Sequence, residues 1–135
     1  MATLIDTSLW IDFTRTRSPR TLKRFIAPFI LHPDAHLAEP VTFEMLRHAT
    51  AAEAKQLTQQ FQTLPLLPTP EDLWAQAAGV GQACRRKNIT VGSLDLLIAT
   101  IALCHGAEIV TFDDDFQKIA GVSTLQVKLL KRPTA

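Results

Sequence analysis

Hydrophobic and polar positions along the chain fall into short apolar runs separated by longer stretches of helical spacing. The first run, Ala2-Thr3-Leu4-Ile5, begins almost at the N-terminus and stops at Asp6. A run this short, bounded by a polar residue, reads as a buried strand. The clearest repeat of the pattern is Ala107 to Phe112, which ends at Asp113. Weaker versions lie at 36–39, at 64–67 and at 124–127; Pro65 and Pro68 place the second of these at a sheet edge, because proline cannot donate to a ladder. Between the runs the period changes. Thr7 or Ser8 suits the cap of a short helix from Leu9 to Thr14. Ser18 and Pro19 suit the N-cap and N1 of a second helix, whose Leu22, Phe25, Ile26, Phe29 and Ile30 share one face, with Pro28 bending or ending it. Pro40 closes the second strand, and Val41 or Thr42 opens a helix carrying Glu44. Further helices are expected over Ala51–Thr63, from Pro70-Glu71-Asp72 to about Lys87, and from Leu94 to His105, where Gly106 supplies the stop. Asp113 to Ile119 reads as a short helix or turn.

Short apolar strands alternating with helices imply an α/β fold with a parallel sheet. In such folds ligands gather beyond the carboxyl ends of the strands. Asp6 and Asp113 both lie just past an expected strand end, so they belong on that edge. A length of 135 residues suits one domain, and 47% hydrophobic residues can build its core. The net charge of +1 neither requires nor excludes a polyanionic partner. Cys84 and Cys104 form no CxxC pair and sit in helical patterns, which suits buried free thiols in a reducing cytoplasm. No run reaches the roughly 18–20 apolar residues of a membrane span, and no leader-like segment opens the chain, so the expectation is a soluble cytoplasmic protein.

Charge placement sharpens this picture. Asp6, Glu44, Asp95 and Asp113 each interrupt or end an apolar stretch on a different element. Carboxylates are seldom buried unless paired or bound to a cation. If the fold gathers all four, a divalent metal with a preference for hard oxygen ligands is the simplest counter-charge, and Mg²⁺ and Mn²⁺ fit. Such a centre suits phosphodiester hydrolysis, where metal lowers the pKa of an attacking water and stabilises charge on the phosphoryl oxygens. Each site also has a plainer reading. Asp6 and Asp95 suit helix N-termini, Glu44 can pair with Arg47 or His48 on a solvent face, and Asp113-Asp114-Asp115 can be a solvated turn.

Taken together, the motifs are similar to those of a known family. Leu4-Ile5-Asp6-Thr7-Ser8-Leu9-Trp10-Ile11-Asp12-Phe13, Glu44 in Thr42-Phe43-Glu44-Met45-Leu46, Gly92-Ser93-Leu94-Asp95-Leu96-Leu97-Ile98-Ala99 and Val110-Thr111-Phe112-Asp113-Asp114-Asp115-Phe116 follow in order along the chain. In this order they resemble a PIN-domain ribonuclease of the VapC type, the toxin half of a toxin–antitoxin pair. The resemblance implies a single PIN-like α/β sandwich over residues 1–135, with a short central parallel sheet flanked by helices. It implies a Mg²⁺ or Mn²⁺ site held principally by Asp6 and Asp95, completed by Glu44 and Asp113, with Asp115 at the rim and Thr7 or Ser8 orienting Asp6. It further implies an endoribonuclease acting on RNA such as tRNA or rRNA, and a homodimer through the apolar N-terminal helices. A cognate antitoxin would cover the acidic cleft with its tail, an arginine displacing the metal. Phe112 departs from the pattern, because a small polar residue is usual there.

That departure keeps open a binding module with little catalysis, and a DNA-directed nuclease is a further alternative. Arg15, Arg17, Arg20, Lys23 and Arg24 form either a phosphate-contacting patch or a solvated helix face. Arg85-Arg86-Lys87 suits a helix C-terminus. The four histidines lack a zinc spacing, Trp10 reads as core or interface, and Gly79-Val80-Gly81 reads as a close-packing point.

Overall fold

The computed structural model describes residues 1–134. Four strands, β1 (Thr3–Ile5), β2 (Ala35–His36), β3 (Glu108–Thr111) and β4 (Gln126–Leu129), form one sheet in the order β2-β1-β3-β4. Every pairing is parallel. Among the described residues, seven helices flank it: α1 (Thr7–Thr14), α2 (Arg20–Ile30), α3 (Glu39–Leu46), α4 (Ala51–Phe61), α5 (Leu73–Arg86), α6 (Ser93–His105) and α7 (Asp115–Ala120).

Leu4, Ile5, Ile109 and Val110 are buried at the centre of the sheet. Trp10 and Leu9 of α1, Ile26 of α2, Val41 of α3, Ile98 and Ile101 of α6 and Phe116 of α7 close over them. The register sets Ile5 beside Val110, so β1 and β3 end side by side. Asp6 N donates to Val110 O at 3.1 Å as the chain leaves β1. This alignment delivers the starts of α1 and of the β3–α7 turn to one edge.

Several boundaries differ from the expectation for identifiable reasons. Asp6, rather than Thr7 or Ser8, caps α1, accepting from Ser8 N at 3.3 Å. The second strand covers only Ala35–His36, and Pro40 sits in the first turn of α3 instead of closing the strand. A first-turn proline has no N–H to waste there. Pro28 lies inside α2 on its solvent side without ending the helix. Residues 64–67 form no strand: Leu66 makes one parallel bridge to Leu37, with prolines on both sides removing further donors. The last strand is displaced two residues from the expected 124–127, because β4 is an exposed edge held by backbone pairing to β3. Its hydrophobicity therefore carries little information about its limits.

Gly106 ends α6 in the left-handed region, φ 61°, as its position suggests. Gly81 is the close-packing glycine, since a Cβ there would meet Leu96 Cδ1 at 3.3 Å, whereas nothing lies within 4 Å of a Cβ at Gly79. Cys84 is buried, but Cys104 is exposed on the outer side of α6 and donates to Gln76 Oε1 at 2.9 Å. No helix among the described residues is long and apolar enough to cross a membrane.

Candidate metal centre

The site begins with the strand-to-helix turn after β1. Asp6 is 4% exposed, and its Oδ2 accepts three hydrogen bonds: Ser8 N at 3.3 Å, Ser8 Oγ at 2.8 Å and Thr111 Oγ1 at 2.8 Å. All three fall on one oxygen. Burial raises the Asp6 pKa above its ordinary value, and the hydrogen bonds from Thr111 and Ser8 oppose that rise. The neighbouring Thr7 hydroxyl donates to Glu44 Oε1 at 2.7 Å, tying α3 to the start of α1. Residues 7 and 8 thus share the task of orienting carboxylates: Ser8 serves Asp6, and Thr7 serves Glu44.

The β3–α7 turn supplies the opposite wall. Thr111, fully buried, uses its hydroxyl twice, donating to Asp6 and accepting from Asp113 N at 2.8 Å. Asp113 Oδ1 then accepts Asp115 N at 2.9 Å. This local bonding turns Asp113 and Asp115 toward one side and leaves Asp114 exposed as the N-cap of α7. Lys118, one turn on, pairs with Asp115 Oδ1 at 3.0 Å. Asp95 enters from the first turn of α6, behind the Gly92 cap.

Asp95, Asp113 and Asp115 each offer a carboxylate oxygen within 4.8 Å of the others. Asp95 is half-buried, and its pKa is pushed up to about 7, first by desolvation and then by the charges of Asp113, Asp6, Asp115 and Glu44. A carboxylate in the first turn of a helix is ordinarily favoured by the dipole. Here burial and four neighbouring carboxylates outweigh it. Three hard oxygen donors at this spacing suit Mg²⁺ or Mn²⁺, whose octahedral shells place ligand oxygens roughly 3–4 Å apart and leave positions for water.

The fold therefore gathers all five acidic residues expected from the sequence around Asp95. Their arrangement differs in emphasis from the expectation. The mutually close oxygens are those of Asp95, Asp113 and Asp115, whereas Asp6 and Glu44 border the group and act on Asp95 through their charge. Thr111 has no place among the residues singled out from sequence. A threonine at the end of an apolar run looks like an ordinary strand residue, and only the β1–β3 register sets its hydroxyl against Asp6. Phe112 costs the site no polar contact, because Ser8 and Thr111 already satisfy Asp6. Its ring packs on Phe25, centroids 6.3 Å apart, with the Arg132 guanidinium 4.4 Å over it.

Residues 3–122 match the model of the PIN domain. The chain belongs to the PIN-domain family. This PIN domain is 34% identical over 128 residues to VapC ribonuclease Mb1587 of Mycobacterium bovis and to ribonuclease VapC11 of Mycobacterium tuberculosis, covering 91% of the chain and 95% of each relative. Among solved structures it is similar to VapBC2 from Rickettsia felis bound to a promoter DNA fragment, with a TM-score of 0.72 at 14% identity over 97% of this chain and 100% of that one. It is also similar to VapBC-1 from nontypeable Haemophilus influenzae, with a TM-score of 0.69 at 19% identity over 96% of this chain and 98% of that one. At these identities the structural likeness speaks to the fold, and the PIN α/β fold is shared.

The expected basic run divides. Arg15 closes α1 and Lys23 lies on α2, each lining a groove beside α4. The groove containing Arg15 also carries Ile11, Glu44, Met45, His48 and Leu57, and it reaches the metal centre through Glu44.

Proposed function

We propose that this PIN domain is a metal-dependent endoribonuclease and the toxin of a toxin–antitoxin pair. The observation that carries the reading is the meeting of Asp95, Asp113 and Asp115 oxygens within 4.8 Å, with Asp6 and Glu44 charges bearing on the same point. Full-length similarity to proteins named as VapC ribonucleases supports it.

Asp95, Asp113 and Asp115 would hold the ion, with Asp6 and Glu44 at its border. Bound there, Mg²⁺ or Mn²⁺ supplies an activated water and charge stabilisation on the phosphoryl and leaving oxygens. The protein's own contribution is orientation. Ser8 and Thr111 fix one Asp6 oxygen. Thr7 fixes Glu44, and the Thr111 hydroxyl links Asp6 to the Asp113 backbone, so the two walls keep their separation. Without a cation the crowded carboxylates repel a phosphate, so substrate binding and metal binding are coupled.

The antitoxin is the partner in this reading, and structural neighbours crystallised as VapBC complexes support it. The groove beside α1, with Ile11, Met45 and Leu57 as apolar lining and Glu44 at its inner end, suits an amphipathic segment that ends in a cation. A homodimer and a cytoplasmic setting belong to the same reading. Ile11 on α1 and Leu31 at the end of α2, 37% and 75% exposed, are the apolar side chains these N-terminal helices offer for self-association.

The test is cleavage of a mixed tRNA and rRNA pool by purified protein, with Mg²⁺ or Mn²⁺, with chelator, and with Asp95→Asn alongside. Cleavage that needs metal and disappears in the variant supports the assignment. Cleavage that persists in chelator or in the variant contradicts it, and matched DNA substrates separate a DNA-directed nuclease.

A further inference from the structure

The segment that follows β4 is tied to the body of the domain at Leu130 and Arg132. Leu130 N donates to Thr111 O at 2.8 Å, continuing the β3–β4 pairing by one residue. Arg132 Nε donates to Asp12 Oδ2 at 2.7 Å, and its guanidinium covers the Phe112 ring. Asp12 is buried on α1, one turn after Ser8, and Ser8 Oγ accepts Phe112 N at 3.1 Å. The 130–132 segment is therefore tied through Phe112 and α1 to the residues that orient Asp6.

This bracing creates a depression of about 530 Å³ lined by Phe112, Asp113, Asp114, Leu129, Leu130 and Lys131. It opens beside the metal centre and shares Asp113 with it. Three of its lining residues are apolar, and Leu129 is 41% exposed. The cations around it have different commitments. Arg132 is paired with Asp12, and Lys128 lies over Phe29 at 5.3 Å. Lys131 is exposed and makes no ion pair among the described residues, although Asp113 and Asp114 line the same depression. A cation without an ion-pair partner, apolar side chains and Asp113 of the acidic centre line one depression, and together they match the chemistry of one nucleotide: phosphate, base and the neighbouring phosphodiester.

We propose that the depression beside β4 is the subsite for the nucleotide flanking the scissile phosphate, with Lys131 contacting its phosphate and Leu129 and Leu130 bearing its base, while Phe112, held between Phe25 and Arg132, forms the wall. This rests on the ribonuclease reading and adds a substrate-positioning residue to it. Lys131 touches substrate away from the reacting atoms, so it acts on binding. Arg132 and Asp12 are structural, keeping the 130–132 segment in place.

The experiment has two arms on the full chain. In the first, a fluorescein-labelled single-stranded RNA of mixed sequence is titrated into the otherwise unmodified protein, with and without Lys131→Ala, at fixed Ca²⁺, an oxygen-seeking cation used in place of Mg²⁺ to fill the acidic site without cleavage, over a range of salt concentrations. One lost phosphate contact lowers the slope of log affinity against log salt by about 0.7 for a single strand. Lys131→Arg restores it, and Lys55→Ala, the same charge change on α4, leaves it unaltered. In the second arm, cleavage by otherwise unmodified protein shows KM raised roughly fivefold in Lys131→Ala with kcat within about twofold. A slope and KM in Lys131→Ala equal to those of Lys55→Ala, or no RNA binding at all, would overturn the subsite. Absence of metal-dependent cleavage by the unmodified chain would instead sink the ribonuclease reading, and the binding arm still decides the fate of Lys131.

Discussion

Replacing Asp95 with asparagine is expected to remove catalysis and, in metal-free protein, to raise stability. Asp95 titrates near 7 in the folded chain against 3.8 as its ordinary value. Between those pH values the folded protein holds a proton that the unfolded chain releases. Stability therefore falls as pH rises from about 4 to 7, and the deficit is complete above 7. Taken at face value the shift corresponds to about 4 kcal/mol, at 1.36 kcal/mol per pH unit. Asp95 is only half-buried, and solvent screening of its neighbours reduces this to about 1–2 kcal/mol. Asparagine keeps the shape and cannot ionise. In chelator at pH 8, Asp95→Asn should melt roughly 4–8 °C above the unmodified protein, and the difference should vanish near pH 4. Mg²⁺ should reverse the order, because the ion stabilises only the chain that binds it, by RT ln(1 + [L]/Kd). Scanning calorimetry over this pH range, with chelator and with Mg²⁺, makes the comparison. Equal melting temperatures at pH 8 in chelator, or a difference as large at pH 4 as at pH 8, would refute the claim that carboxylate crowding and desolvation dominate at this residue.

Other substitutions separate orientation from packing. Thr111→Val leaves the volume nearly unchanged but deprives buried Asp6 and the Asp113 amide of a partner. It should cost about 1–3 kcal/mol in denaturant unfolding and lower kcat at least tenfold. Thr7→Val should leave stability within about 1 kcal/mol, since Glu44 is only partly buried, yet reduce cleavage in a metal-dependent assay by loosening Glu44. Arg132→Ala should destabilise by about 1–2 kcal/mol through the lost Asp12 bond and Phe112 contact, read as a lower urea midpoint. Gly106→Ala should lower stability by about 1 kcal/mol, because φ 61° strains any residue with a Cβ.

Much of the fold was legible along the chain because its strongest signals are local. The apolar run that stops at Asp6, the Gly106 stop and the Ala107–Phe112 run each report their own element, and alternation of the two periods implies a parallel sheet. Signals failed where the determinant is not local. Residues 124–127 look more strand-like than 126–129, but the backbone of β3 decides the register of an exposed edge. Cys104 sits in an apolar helix and still is exposed, because its α5 neighbour there is the equally exposed Gln76.

The acidic centre divides along the same line. Sequence by itself determined which carboxylates are out of place, since Asp6, Glu44, Asp95 and Asp113 stand against apolar surroundings that ordinarily exclude charge. Motif order gave Asp115 and the family. It could not rank them, because the separation between residues 6, 95 and 113 is set by strand pairing. Tertiary structure alone placed Asp95, Asp113 and Asp115 within reach of one ion and set Asp6 and Glu44 at its border. It also brought Thr111 to Asp6 across the β1–β3 ladder and Arg132 to Asp12 across 120 residues of chain. Hydrogen bonds and Coulomb forces act over a few ångströms, and only the folded chain decides which residues come that close.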